Sequence, residues 1–295
     1  MAVKDELGKR MKEFYEQVPK TRLVRRTPVA IRIDGKCFHQ FTKGFNKPFD
    51  EVLIKAMQRT MKYLCENVQG CVLGYHQSDE ITLILTDYKK LTSSAFFDYE
   101  VQKMCSITAS MATMAFNRHF VDEVGLWDAS SFLESDEDSE EHKKLSRAYH
   151  AAIVRGAMFD ARCFNIPKEE VTNLIYWRQL DATRNSIQMV GQANFSHTQL
   201  QNKSCNKIQD MLMTEKNINW NDFHVYQKRG SCCIKSEIKT TTAVADKDGN
   251  VTNQTIERPH WFIDNNIPIF KGEDREYIDK LIRTEECNFC RIIIN

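Results

Sequence analysis

Apolar positions along this chain follow two rhythms, short β-branched runs and long helical stripes, and their order predicts a fold. Residues 27–33 form a compact apolar run that stops at Asp34-Gly35, a turn dipeptide, and read as a buried strand. Over 50–69, Leu53, Met57, Met61, Leu64 and Val68 recur every three or four residues. Asp50 stands where an N-cap belongs and Gly70 follows the end, so this is an amphipathic helix. Residues 71–75 and 81–86 are apolar runs around His76-Gln77-Ser78-Asp79-Glu80, which makes a hairpin. Phe97, Val101, Met104, Ile107, Met111 and Met114 mark a second long helix over 94–120, and 156–166 is a fourth strand closed by Pro167.

Strand, helix, strand, strand, helix, strand is the split βαβ, or ferredoxin-like, order, and the fold class is α+β with an antiparallel βαββαβ sheet. In that unit the first and third strands are central neighbours. The end of the first strand therefore lies beside the turn between the second and third, and Asp34 and Asp79 are expected to meet there. Beyond the unit, the acidic stretch 128–146 reads as a mobile surface loop. Residues 168–192 and 196–213 read as helices, and from 223 onward short β-like runs alternate with turns such as Asp248-Gly249-Asn250. This divides the chain into a catalytic region over 1–192, with flanking helices, and a helical and mixed C-terminal region over 193–295 packed on it.

Composition narrows the function classes. A chain of 295 residues with 42% apolar and 27% charged positions is an ordinary globular protein. No apolar run approaches a membrane span, and the N-terminus carries early acids and no apolar core, so a cytoplasmic, membrane-free setting is expected. The ten cysteines then read as reduced thiols, with Cys37, Cys65, Cys71 and Cys105 as small core residues. Cys232-Cys233 with Cys287-Asn288-Phe289-Cys290 is a weak zinc signal. A net charge of +1 gives no global footprint for nucleic acid. Local basic clusters at Arg22, Arg25 and Arg26 and at Lys228 and Arg229 read as solvated faces or as RNA contacts.

Asp-Gly at a strand end and Asp-Glu in a hairpin turn are each unremarkable alone. Together, two converging carboxylates beside a glycine are what a pair of Mg²⁺ ions needs to handle a nucleoside triphosphate. Asp34 and Asp79 would bridge the metals, and the Gly35 carbonyl would add a hard oxygen. The N–H groups of Lys36, Cys37, Phe38 and His39 would cradle the triphosphate, with a hydroxyl contact from Ser78. Phe38 is expected to pack the loop, and His39 is a phosphate contact or a packed residue beneath it. Glu80 joins the catalytic set as a tuning carboxylate or is a surface acid. His76 receives no role.

At this point the residues resemble a family. Arg32-Ile33-Asp34-Gly35-Lys36-Cys37-Phe38-His39, Lys47-Pro48-Phe49-Asp50 and Gln77-Ser78-Asp79-Glu80 are similar to motifs of the tRNA-histidine guanylyltransferase superfamily of 3′-to-5′ nucleotide-adding polymerases. Phe159-Asp160-Ala161-Arg162, Pro167 and Trp177-Arg178-Gln179-Leu180-Asp181 also fit. The resemblance implies a polymerase-like palm, two Mg²⁺ ions at Asp34, Gly35 and Asp79, and ATP with GTP or another NTP as substrates. It implies triphosphate or RNA handling at Lys47, Asp50 and Lys103, a tRNA partner and a homotetramer. One motif departs. The family's His-Ile-Asn-Asn-Leu-Tyr run stands here as Thr183-Arg184-Asn185-Ser186-Ile187-Gln188, which keeps only Asn185. That departure points to the branch that repairs 5′-truncated tRNAs rather than to dedicated guanosine addition to tRNA-histidine, with Arg184 and Asn185 as RNA contacts or helix stabilisers. A nucleotidyl cyclase on the same palm and a non-enzymatic RNA-binding module remain as alternatives. Against the latter, Ile81-Thr82-Leu83-Ile84-Leu85 lacks an aromatic stacking pattern.

Overall fold

Alternation decides which side of the sheet each strand residue faces, and here both sides are covered. The computed structural model describes residues 6–90, 92–134, 139–245 and 251–284, the side chains of 131–134, 237–245 and 251–258 aside. A short α1 (Glu6–Met11) precedes β1 (Val29–Gly35), and the single-turn α2 (Phe38–Phe41) leads into α3 (Glu51–Asn67). The hairpin β2 (Cys71–Gln77) and β3 (Glu80–Leu85) follows, then α4 (Val101–Glu134), α5 (Glu140–Arg155) and β4 (Phe159–Asn165). After the long α6 (Lys168–Asn194) come α7 (His197–Leu200), α8 (Cys205–Lys216) and α9 (Val225–Arg229). The chain then forms β5 (Ser231–Ala245), β6 (Val251–Asp264) and α10 (Glu276–Ile282).

The six strands make one antiparallel sheet in the order β4-β1-β3-β2-β5-β6. β1 and β3 are central neighbours with Asp34 opposite Glu80, as the strand order implied. Val29, Ile31, Ile33, Ile81 and Leu83 face α3 and α4, where Met57, Met61, Leu64, Met104 and Phe116 complete the larger core. Ala30, Leu73, Tyr75 and Ile84 face the other way, onto Val171 and Ile175 of α6 and Ile278 of α10. Every residue of β3 is buried. A sheet covered on both faces offers no open platform for stacking bases, which overturns the RNA-binding-module alternative.

Asp50 caps α3 as expected, accepting the Leu53 N–H at 2.9 Å. Elsewhere the elements differ from expectation in ways that buried positions explain. The second long helix begins at Val101 rather than 94, because Phe97, Asp98 and Tyr99 have left-handed backbone (φ 47, 52 and 56°). The acidic stretch is not a loop across 128–146. α4 runs to Glu134 and α5 starts at Glu140 behind a Ser139 N-cap. Phe120 and Val124 extend the buried stripe of α4, and Leu145, Tyr149 and Ala152 give α5 its own. Trp127 stacks on His142 with ring centroids 4.3 Å apart. Glu140 and Glu141 are exposed in the first turn of α5, and residues 135–138 lie outside the described residues. Residues 196–213 are two helices rather than one. The region after 223 is dominated by the long antiparallel pair β5–β6, which adds two strands to the sheet; residues 246–250, where the turn Asp248-Gly249-Asn250 is expected, lie outside the described residues.

Candidate active site

Backbone pairing alone brings the two aspartates together. Gln77 pairs with Glu80, leaving Ser78-Asp79 as a two-residue turn. The Gly35 N–H donates to the Asp79 carbonyl at 3.1 Å, which ties the end of β1 to that turn. Ser78 has left-handed backbone (φ 52°), and its hydroxyl donates to Asp79 Oδ1 at 3.1 Å. Burial, then the charge of Asp34, pushes the Asp79 carboxyl up to about 6. Two half-buried carboxylates that repel one another, with backbone oxygens beside them, form a hard-oxygen donor set that fits Mg²⁺. Among the described residues no group of three or more His, Cys, Asp or Glu side chains is placed to hold a metal. Backbone carbonyl or substrate oxygens would therefore complete the shell.

Beside the turn opens a cavity of about 770 Å³, lined by Gly35, Cys37, Phe38, His39, Lys47, Ser78 and Asp79 among others. Gly35 is glycine for a packing reason: a Cβ there would lie 2.2 Å from the Phe38 ring. That ring cannot yield, being packed against Phe41, Phe116 and Phe159 at centroid distances of 5.1–5.5 Å. Phe38 thus packs the loop as expected. Lys36 leaves the proposed cradle, because its N–H donates to the Met158 carbonyl at 2.8 Å. The N–H groups of Cys37, Phe38 and His39 have no acceptor among the described residues. His39 is exposed and lines the cavity, which corrects the reading of a packed residue. Cys37 is exposed too and not a core thiol, whereas Cys65 and Cys71 are buried.

Glu80 is no surface acid. Its carboxylate accepts from Arg178 Nε at 2.7 Å, with Arg32 Nε at 3.6 Å. Burial pushes its pKa up and Arg178 opposes the shift. It therefore binds the sheet to α6 beside Asp34 rather than offering free oxygens.

Several expected contacts lie elsewhere. Lys103 sits in the first turn of α4 over the Phe97 ring, 5.6 Å from its centroid. It is about 20 Å of helix away from Phe116, which packs beneath the loop. Arg22 and Arg25 pair with Asp98, and Arg25 also pairs with Asp87 at 2.8 Å. The Arg26 N–H donates to Asp87 as well. This group sits at the opposite end of the sheet from Asp34. Lys228 is 6% exposed and donates to the Asn221 carbonyl at 2.5 Å, so it is an internal strut and not an RNA contact. Arg229 is half-buried. Arg184 is exposed and pairs with Asp181, while Asn185 lines a small cavity beside Ser78. Cys232 and Cys233 are buried on opposite faces of β5, so they cannot ligate one metal together; Cys287 and Cys290 lie outside the described residues.

Asp50, which the resemblance assigns to triphosphate or RNA handling, is a buried clamp, and Met189, Gln192 and His76 take places at the site that the sequence reading does not give them. Asp50, 5% exposed, accepts from Asn46 N–H at 3.0 Å and the Tyr149 hydroxyl at 2.8 Å, which clamps the Lys47 loop to α3 and α5. Met189 and Gln192 of α6 line the far wall of the main cavity. His76 bonds to the Ser78-Asp79 turn itself, through the Ser78 carbonyl at 2.9 Å.

The chain is similar to several known proteins. The family model for Thg1, tRNAHis guanylyltransferase, matches residues 8–167. The tRNA(His) guanylyltransferase of Saccharomyces cerevisiae is 28% identical over 235 residues, 75% of this chain and 88% of that protein. A bacterial tRNA(His) guanylyltransferase (Thg1)-like protein solved in complex with ATP is 39% identical with a TM-score of 0.72, covering 95% of this chain and 100% of that one. A bacterial protein of the same description in complex with GTP is 37% identical with a TM-score of 0.68, covering 94% and 99%. No helix among the described residues is long and apolar enough to cross a membrane. The chain belongs to the tRNAHis guanylyltransferase family and is a nucleotidyltransferase.

Proposed function

We propose that this protein adds nucleotides in the 3′-to-5′ direction to tRNA 5′ ends, with Mg²⁺, and acts in repair of 5′-truncated tRNAs. The observation that carries the reading is the pair Asp34 and Asp79, tied by the Gly35 N–H bond to the Asp79 carbonyl, with Gly35 and Asp79 lining a cavity of about 770 Å³. In the first step an oxygen of the RNA 5′-monophosphate attacks the α-phosphorus of ATP and pyrophosphate leaves. In the second, the 3′-hydroxyl of an incoming NTP attacks the activated 5′-phosphate and AMP leaves.

Asp34, Asp79 and the Gly35 carbonyl would hold two Mg²⁺ ions, which when bound acidify the attacking oxygen and neutralise the leaving phosphates. Lys47 and the free N–H groups of Cys37, Phe38 and His39 orient the triphosphate along the cavity wall. Glu80 and Arg178 keep Asp34 in register with the turn. The repair branch is supported by the altered run 183–188 and by identity: 39% and 37% to the bacterial Thg1-like proteins against 28% to the yeast enzyme. A tetrameric assembly and a cytoplasmic setting belong to the same reading.

The test is incubation of 5′-monophosphorylated, 5′-truncated tRNA with ATP, GTP and Mg²⁺. The expected result is 5′ extension by the wild type and none by Asp79→Ala. Extension undiminished in that variant, or a cyclic mononucleotide formed without RNA, would overturn the reading.

A further inference from the structure

The turn that carries Asp79 is held from behind by a chain of polar residues, two of which, the buried Ser231 and the half-buried Asn265, lie beyond the segment that matches the family. His76 is 3% exposed, and its Nε2–H donates to the Ser78 carbonyl at 2.9 Å. A carbonyl only accepts, so the ring proton sits on Nε2, and Nδ1 is left to accept from the Ser231 hydroxyl at 3.5 Å. The Gln58 amide donates to Ser231 Oγ at 3.2 Å and to Asn265 Oδ1 at 2.7 Å. One polar chain thus runs from the end of β6 through α3 and β5 to the Ser78-Asp79 turn. Burial lowers the His76 pKa to about 4, so the ring is neutral near pH 7 and keeps this single tautomer.

The fit behind His76 is close. Gly230 carries no side chain because a Cβ there would lie 2.3 Å from the His76 carbonyl. Next to it, the Tyr75 hydroxyl donates to the Arg229 carbonyl at 2.6 Å. On the other side, Ser78 holds a left-handed backbone, which a residue with a Cβ adopts only where its surroundings enforce it. The His76 bond falls on the carbonyl of that same residue, one peptide before Asp79.

We propose that His76, backed by Ser231 and Gln58, is a positioning residue that fixes the Ser78-Asp79 turn so that the Asp79 carboxylate faces Asp34. The inference rests on the nucleotidyl-transfer reading of that aspartate pair. Second contacts of this kind on a metal-ligand turn are worth about 10–100-fold in activity or metal affinity.

Three variants decide it. His76→Phe keeps the ring volume and removes the donor. His76→Gln restores an N–H donor near the position of Nε2. Ser231→Ala leaves the ring and removes only its support. The readouts are kcat and KM for adenylylation of 5′-monophosphorylated tRNA, and Mn²⁺ binding by the protein without substrates. His76→Phe is expected to lower kcat and Mn²⁺ affinity by about 10–100-fold with KM for tRNA unchanged, and His76→Gln to recover most of both. Ser231→Ala should show a smaller loss in the same two quantities. The proposal is overturned by a folded His76→Phe protein with wild-type kcat and Mn²⁺ affinity, or by His76→Gln as impaired as His76→Phe, which would mean packing alone. Should His76→Phe fail to fold, unchanged kcat and Mn²⁺ affinity in Ser231→Ala overturn it instead. Absence of adenylylation by the wild type would sink the functional reading, while Mn²⁺ binding across the variants still decides the positioning role.

Discussion

Asp34 and Asp79 stay side by side only while their backbones stay in register, and the residues that keep them there carry their own sensitivities. Gly35→Ala would drive a methyl into the packed Phe38 ring. Overpacking of this kind costs about 1–3 kcal/mol, and urea unfolding should read that loss together with reduced adenylylation. His76 makes stability depend on pH. Its folded pKa, about 4, lies below the ordinary 6.5, so the fold favours the neutral ring. The associated stability is fully present above 6.5 and is lost as pH falls from there toward 4. The span corresponds to about 3 kcal/mol, and its neighbours Ser231 and Gln58 are uncharged. Between pH 7.5 and 5 the wild type should lose stability relative to His76→Phe, the raised Asp79 carboxyl contributing in the opposite sense in both proteins. The aspartates, Gly35 and Ser78 were legible because turn chemistry and strand order are short-range or topological. His76, Tyr149 and Arg178 were not, since their partners stand 155, 99 and 98 positions away along the chain.

α6 is joined to the sheet by more than its apolar stripe. Arg178 reaches Glu80 across the interface with both side chains buried, and Asp181 at 2.9 Å takes the rest of the guanidinium. Removing one partner strands the other charge, so Glu80→Ala should cost about 3–5 kcal/mol. Glu80→Leu combined with Arg178→Leu should recover most of that in a double-mutant cycle; additive losses would mean the pair is not coupled. Helices with a strong apolar period were readable in kind, and their ends shifted wherever backbone geometry or a distant contact intervened. The acidic stretch hides its helices because the apolar positions that decide burial are few, Leu145 inside it and Val124 and Tyr149 on either side. The β5–β6 pair was hidden because its strands are satisfied mainly by pairing with each other, from Cys232↔Asp264 to Ala245↔Val251, and that pairing leaves no apolar alternation to read.

Taken whole, the molecule sets the β2–β3 hairpin with its Ser78-Asp79 turn in the middle of a six-stranded sheet, with α6 lining one wall of the cavity. If the altered 183–188 run relaxes selection of one tRNA, 5′-truncated tRNAs other than tRNA-histidine should be extended with comparable kcat/KM. A strict preference for tRNA-histidine would reassign the branch. The order of strands also says how the chain can be cut. β2, which delivers the turn, has β5 as its outer neighbour, paired from Leu73↔Ile234 to His76↔Ser231. A fragment ending before residue 231 would turn β2 into a bare edge, with unpaired peptide groups beside the Ser78-Asp79 turn. Such edges recruit other chains. The segment 8–167, though it carries both aspartates, is therefore expected to self-associate rather than act as a minimal enzyme.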